Sequence, residues 1–209
     1  LKQALSEEFS LVIEDIKSLQ SNEKKSFNAQ CKFIEGSALF ELPKIEDSTI
    51  SAVISSPPYC NRYDYTRTYA MELAYLGITE TGIKQLRQNL LSCTVENNPK
   101  TKQLKDFYSS IGREDAYERI MEVIQNNNAL QEINQALRQR NANGEINNKG
   151  VLKMVEGYFT ELTFLFAELY RTCKPGAYVA FVNDNVRYAG EVIPVDYLTT
   201  NLAEQLGFK

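Results

Sequence analysis

The residues with the clearest chemical meaning form a run of serine, proline and tyrosine, Ser55-Ser56-Pro57-Pro58-Tyr59, directly after an apolar segment. Adjacent prolines fix φ at about −65° and have no backbone N–H, so this turn presents carbonyl oxygens without competing donors. A serine hydroxyl and an aromatic ring lie beside them. Such a surface can bind an amino group and stack on a planar ring. A rigid turn with a packing tyrosine would have the same sequence, and both interpretations stay open.

The composition removes several other chemistries. The 209 residues contain no histidine, which excludes the Ser-His-Asp and Cys-His nucleophile schemes. The four cysteines form no CxxC pair, so we predict no metal site and expect reduced thiols in a cytoplasmic protein. The net charge of −4 gives no overall sign of nucleic-acid binding, although local patches could supply it. Catalysis would therefore use carboxylates, hydroxyls, backbone groups or a bound cofactor.

The elements that must position this turn follow from hydrophobic periodicity. The order of strand and helix predicts a parallel α/β sheet, in which ligands bind beyond the carboxyl ends of the strands. No apolar run is long enough to span a membrane, and we predict no membrane association. The predicted helices cover 1–20, 65–76, 151–169 and 193–208, and the predicted strands cover 31–34, 50–54 and 177–184, the last two of them buried.

Residues 81–150 differ from the rest of the chain. They contain 18 Asn and Gln, with 10 Lys and Arg against 8 Asp and Glu. Helical patches at 117–124 and 130–137 are separated by polar loops. We predict a helical insertion outside the main core, between core segments 1–80 and 151–209. Amide side chains read base edges well, so this insertion is a candidate for target recognition; a solvated helical decoration is the alternative.

Ser-Pro-Pro-Tyr after an apolar strand resembles the catalytic motif of S-adenosylmethionine (SAM)-dependent amino-methyltransferases that act on DNA bases. The segment that follows, CNRYDYTRTYAMELAYLG, is similar to one subgroup of bacterial site-specific DNA methyltransferases. The resemblance covers about residues 31–77 and 151–209. It implies a partial Rossmann-like methyltransferase core, SAM as cofactor, DNA as partner and a role in restriction–modification.

The resemblance also implies roles for individual residues. Ser56, Pro57, Pro58 and Tyr59 would form the pocket for a flipped base. The Ser56 side chain and the Pro57 carbonyl would accept the amino hydrogens, and Tyr59 would stack on the ring. A serine in the first position is more similar to the N4-cytosine pattern than to the commonest N6-adenine pattern, although such members are not confined to cytosine.

Residues outside the motif have weaker signals. Gly36-Ser37 occupies the place where these enzymes often carry Gly-Asp, which receives the cofactor's adenine amino group; a turn glycine before a helix-starting serine is the alternative. Arg62, Tyr63 and Arg67 interleave cations with aromatic rings and are candidates for nucleic-acid contacts. Structurally, Asp64 would cap the following helix, and Tyr69 would pack in the core.

The glycine-rich turn that a methyltransferase needs to approach SAM is missing, since none of the ten glycines forms a GxG. We therefore predict that the chain is part of a larger enzyme and is inactive alone. An upstream segment or a partner subunit would carry that turn. An RNA base methyltransferase and a non-catalytic nucleic-acid-binding subunit remain the alternative functions.

Overall fold

The computed structural model describes residues 2–22 and 30–209, in two compact units, 1–35 and 36–209. In the first unit, helix α1 (Lys2–Asn22) confirms the predicted helix, and its large apolar residues between Phe9 and Leu19 are exposed. The strand predicted over 31–34 is wrong, because residues 30–35 have no regular structure. An extended segment without a partner gains no ladder hydrogen bonds, and neither strand pair of the described chain includes these residues.

The second unit contains a parallel pair of strands, β1 (Ile50–Ser55) and β2 (Cys173–Phe181), in which Val53 pairs with Val179. The strands predicted over 50–54 and 177–184 and their parallel direction are confirmed, although β2 begins four residues earlier than predicted, runs through Pro175 and Gly176, and ends at Phe181.

The two faces of this sheet have different surroundings. Val53, Val179 and Phe181 pack against the core. The other face, which we call the open sheet face, consists of Ala52, Ile54, Tyr178, Ala180 and Val182, and all five are exposed. In the residues that the structure describes, the prediction of buried strands therefore holds for only one of the two sheet faces.

Helix α9 (Gly150–Thr172) forms the centre of the core, because Tyr158, Phe159 and Leu162 on it are fully buried. It packs against other helical elements: α2 (Ala38–Glu41), the 3-10 helix (Leu42–Lys44), α7 (Glu114–Asn126), α8 (Asn128–Ala142) and α10 (Val195–Gln205). The helices between α1 and α9 are α2 (Ala38–Glu41), the 3-10 helix (Leu42–Lys44), α3 (Tyr65–Thr68), α4 (Ala70–Tyr75), α5 (Glu80–Asn89), α6 (Thr101–Ser110), α7 (Glu114–Asn126) and α8 (Asn128–Ala142).

Residues 81–150 contain helices α5 to α8, and residues of α6 to α8 pack in the same buried core as α9. Leu104 and Tyr108 of α6, Ile120 of α7 and Leu137 of α8 belong to the same buried cluster as α9. The segment contains few apolar residues, yet each helix places them on one face, and a narrow stripe is enough to join a core. The domain bounds at 80/81 and 150/151 stay a prediction.

A β-hairpin follows β2. Strands β3 (Val186–Tyr188) and β4 (Glu191–Ile193) pair antiparallel. They are joined by Ala189 and Gly190, whose φ angles of 49° and 86° match a type I′ turn. Helix α10 (Val195–Gln205) then packs on α9. Across residues 2–22 and 30–209, no helix has the length and apolarity that crossing a membrane requires.

Candidate functional site

The proline loop, Ser56–Tyr59, lies directly beyond the carboxyl end of β1, as the sequence predicts. The Ser56 side chain is exposed, Pro57 is buried, and Pro58 and Tyr59 are half-buried. The Ser56 hydroxyl lies 3.4 Å from the Tyr59 hydroxyl. The loop is therefore open to solvent on its Ser56 side, with the serine hydroxyl and the aromatic side chain next to each other.

Both ends of the proline loop are tied to the protein by hydrogen bonds. At its start, the backbone N–H of Val182 donates to the Ser55 carbonyl at 2.9 Å. At its end, Asn61 N–H donates to the Tyr59 carbonyl at 2.8 Å. Cys60 is fully buried, and burial raises the pKa of its thiol far above the ordinary value, so it stays protonated. The loop is thus held at the surface by buried neighbours.

The predicted cap at Asp64 is confirmed, because its carboxylate accepts the backbone N–H of Thr66 at 3.0 Å. The same carboxylate lies 2.9 Å from Nε of Arg87. Burial alone would raise the pKa of Asp64, but the Thr66 hydrogen bonds and Arg87 outweigh it and hold that pKa below its ordinary value. Asp64 therefore joins the segment after the proline loop to α5.

The three residues predicted to contact nucleic acid lie in that segment. Arg67 forms ion pairs with Asp64 at 3.1 Å and with Glu96 at 2.8 Å, although its side chain is 68% exposed. Tyr63 is about half exposed and packs edge-on against Tyr65. The guanidinium of Arg62 lies 5.6 Å from the centre of the Tyr188 ring. All three reach the surface near the proline loop, and both arginines already have partners in the protein.

Tyr69, which the sequence predicts to be in the core, is about half exposed, so that prediction is wrong. The predicted helix is two short helices, α3 and α4, and Tyr69 lies at the break between them, with φ −98° and ψ 23°. The break changes the helical phase, and Tyr65 and Tyr69 therefore do not share one buried face.

A buried ion pair supports the other side of this segment. Lys100 Nζ lies 3.0 Å from both carboxylate oxygens of Glu161, and the two side chains are almost completely buried. Glu161 also accepts the backbone N–H of Ser92 at 2.9 Å. The adjacent Cys93 thiol contacts the Tyr63 carbonyl at 3.5 Å. Residues 92–100 therefore connect α9 to the segment that follows the proline loop.

Gly36 and Ser37, the predicted cofactor side, precede α2. Ser37 is its N-cap residue, and its side chain makes no capping hydrogen bond, so the hydroxyl is available as an acceptor. Gly36 has a φ angle of 148°, a backbone conformation that L side chains rarely adopt, which explains the glycine structurally. No hydrogen bond among residues 36–209 joins these two residues to the proline loop.

Two buried tyrosines behind the loop were missed by sequence reasoning. The Tyr188 hydroxyl donates to the Cys60 carbonyl at 2.6 Å. The fully buried Tyr158 hydroxyl has no hydrogen-bond partner within the part of the chain that the structure describes. No motif or spacing links either residue to the loop, since both lie more than ninety positions downstream, so the tertiary fold alone brings them there.

The amino-acid sequence is similar to known Type II methyltransferases. Over 209 residues the chain is 60% identical to Type II methyltransferase M.BsoBI of Geobacillus stearothermophilus, which covers 100% of the chain. The chain is homologous to part of the Type II methyltransferases. It is also 40% identical, over 99% of its length, to Type II methyltransferase M.AvaI of Nostoc sp. and of Anabaena variabilis. No family model and no solved structure matches.

The Type II methyltransferases that match are longer than this chain. It spans 41% of the length of M.BsoBI and 41% of M.AvaI. The similarity extends through residues 81–150 as well as through the segments that carry the proline loop.

Proposed function

We propose that this chain belongs to a site-specific DNA methyltransferase that transfers a methyl group from SAM to the exocyclic amino group of a flipped base. The observation that carries the proposal is the proline loop. An exposed Ser56 hydroxyl lies 3.4 Å from the Tyr59 hydroxyl, beyond the carboxyl end of a parallel strand, where α/β proteins bind ligands. The Type II methyltransferase relatives support the same function, and from their names we also propose a role in restriction–modification.

The proline loop would make the base amine reactive. An exocyclic amine is a poor nucleophile because its lone pair is delocalised into the ring. Ser56 Oγ and the Pro57 carbonyl would accept its two hydrogens and favour a pyramidal nitrogen. These hydrogen bonds strengthen as positive charge develops on the nitrogen, which is the condition for catalysis rather than mere binding. Tyr59 would stack on the extruded ring.

SAM, when bound, would supply an electrophilic methyl group with a thioether as leaving group. Ser56 and the Pro57 carbonyl would hold the amine nitrogen toward that methyl group, and the nitrogen would lose one proton to water as it gains the methyl group. Ser37, with a hydroxyl that makes no capping bond, fits a contact with the adenine amino group. The described residues fit only that contact, because no glycine-rich turn accompanies them. For the target base we propose N4 of cytosine, with N6 of adenine as the alternative.

We propose that the rest of the cofactor site lies in a further segment of the full-length protein or in a partner subunit. The chain spans only 41% of its relatives. The open sheet face is apolar, and parallel sheets are normally covered on both faces. We propose that the segment that covers this face also carries the glycine-rich turn. The 209-residue chain alone is then expected to be inactive.

For DNA contacts we propose Arg62, Tyr63 and Arg67, with helices of 81–150 in target recognition. Tyr63 and Arg67 expose much of their side chains near the proline loop, which supports this assignment. Arg67 would have to share its guanidinium between phosphate and its two carboxylate partners. The predicted Rossmann-like core, with segments 1–80 and 151–209 on either side of 81–150, remains part of this proposal.

The test uses the full-length protein, Ser56→Ala, Tyr59→Ala and methyl-labelled SAM. We expect transfer to duplex DNA to fall by at least about a hundredfold in both variants, while SAM binding is retained. Ser51→Ala, in the same strand and away from the loop, is the control and should remain active. Equal loss of SAM binding and transfer in the loop variants would contradict the assigned roles. Transfer to tRNA instead of DNA would favour the RNA enzyme, and no transfer to either would favour a non-catalytic subunit.

A further inference from the structure

The backbone just after the proline loop is held by one buried side chain from a distant part of the sequence. The Tyr188 hydroxyl donates to the Cys60 carbonyl at 2.6 Å, and Cys60 directly follows Tyr59. Tyr188 is 8% exposed and Cys60 is fully buried, so water cannot replace this bond without a rearrangement. Leaving a buried carbonyl without a hydrogen-bond partner is unfavourable, so the Tyr188 hydroxyl is a strong constraint on the loop.

Tyr188 is itself fixed from three sides. It ends β3 and pairs with Glu191 across the type I′ turn. Glu191 is bound by the guanidinium of Arg140 at 2.7 Å, which ties the hairpin to α8. On the other side, the Arg62 guanidinium lies over the Tyr188 ring at 5.6 Å. The Tyr188 side chain therefore has a fixed position, and its hydroxyl holds the Cys60 carbonyl in place.

The loop needs such an external support because of its own sequence. Pro57 and Pro58 have no N–H groups, so the loop can form few backbone hydrogen bonds of its own. The Val182 N–H donates to the Ser55 carbonyl at 2.9 Å, and this hydrogen bond fixes the start of the loop. The bond from Tyr188 fixes its end. Between these two points lie the groups that the proposed function uses, Ser56 and Tyr59.

We propose that Tyr188 is a positioning residue of the base pocket, which sets the places of the Tyr59 ring and the Pro57 carbonyl through its hydrogen bond to Cys60. This inference rests on the proposed function. Tyr188 acts through the loop and does not contact the base. The hairpin β3–β4 therefore belongs to the methyl-transfer site, although it lies far from the proline loop in sequence.

The test is Tyr188→Phe in the full-length protein, with Tyr108→Phe as the matched control. Both changes remove one buried hydroxyl; Tyr108 donates to Glu168 at 2.9 Å, in the same core but at α9 instead of at the loop. We expect both variants to lose some thermal stability. Only Tyr188→Phe should lower kcat, by about ten- to hundredfold, with KM for SAM unchanged, because a displaced base pocket slows chemistry without weakening cofactor binding.

A second measurement does not depend on activity. Hydrogen–deuterium exchange of the Tyr59, Cys60 and Asn61 amides should accelerate in Tyr188→Phe and remain unchanged in Tyr108→Phe. Unchanged exchange there, or a kcat equal to that of the control, would overturn the positioning role. If exchange accelerates but the unmodified protein transfers no methyl group to DNA, the support of the loop by Tyr188 holds and the proposed function fails.

Discussion

Glu168 illustrates how single charged residues stabilise the interior of this protein. Its carboxylate accepts hydrogen bonds from the Tyr108 hydroxyl at 2.9 Å, from Arg113 at 3.0 Å and from Arg171 at 2.7 Å. Burial alone would raise the pKa of Glu168, but these donors outweigh it and hold that pKa below the ordinary value of 4.5. The ionised carboxylate therefore stabilises the folded state.

A pH dependence follows from the direction of this shift. The contribution of Glu168 is complete above the pKa of an unfolded glutamate and is lost as the pH falls through the lower folded pKa. We expect Glu168→Gln to lower the free energy of unfolding by about 3 kcal/mol at pH 7, and the difference should shrink below pH 4.5. Urea denaturation between pH 3 and 7 measures it. Glu118→Gln, at an exposed position of α7, is the control; a pH-independent difference for Glu168→Gln would contradict the argument.

Residue-scale predictions from sequence succeeded where the interaction is local. Asp64 caps α3 through Thr66, two positions away, and short-range hydrogen-bond chemistry is enough to predict it. Tyr69 failed because its environment depends on a helix break that periodicity does not reveal. Tyr188 was missed because its partner, Cys60, becomes a neighbour only after the whole fold has formed.

At the scale of elements, the segment 92–100 is joined to α9 by the buried pair of Lys100 and Glu161. Burial raises the pKa of Glu161, and Lys100 and Ser92 oppose that effect without cancelling it. A buried pair of this kind is costly to break and much less costly to replace as a whole. This asymmetry gives a specific test of how the segment is attached.

We expect Lys100→Met to lower the free energy of unfolding by about 3–5 kcal/mol, because it leaves the Glu161 carboxylate buried without its cation. The double variant Lys100→Met/Glu161→Met should recover most of that loss. Lys84→Met, which removes an exposed ion pair with Glu80, serves as control and should produce no measurable change. Chemical denaturation of the unmodified protein and the three variants measures these differences. A double variant as unstable as Lys100→Met would contradict the expected cost of an unpaired buried carboxylate.

Elements were predicted well where their apolar pattern is strong. Strand β1 and helices α9 and α10 were expected from continuous or periodic apolar residues. The packing of residues 81–150 in the core was not predicted, because an Asn- and Gln-rich composition indicates solvent exposure on average. Burial depends instead on which face carries residues such as Leu104 and Leu137, and that face is decided by helix packing.

At the scale of the whole molecule, the open sheet face is exposed although its residues are mostly apolar. Ile54 and Tyr178 on it are 87% and 84% exposed. The sequence of both strands is apolar on both faces, which is the pattern of a sheet covered on both sides. In the described chain, Val53, Val179 and Phe181 on the opposite face pack against the core.

The full-length protein gives a direct test of that cover. We expect Tyr178→Lys to lower its free energy of unfolding by about 2 kcal/mol, since the change would place a charge under the covering segment. Tyr197→Lys, at a 58% exposed tyrosine of α10, is the matched control and should have little effect. Equal small effects in thermal or urea unfolding would mean that the face stays open in the full-length protein.

The register of the parallel strands has a consequence for biosynthesis. Val53 pairs with Val179, so β1 leaves the ribosome long before its partner has been translated. During that interval Ile50–Ser55 is an apolar segment whose backbone groups have no partner strand. Nascent segments of this kind can aggregate or be bound by chaperones. A translation stop between the proline loop and β2 would release a polypeptide that contains Ser56–Tyr59 but lacks the strand that pairs with β1.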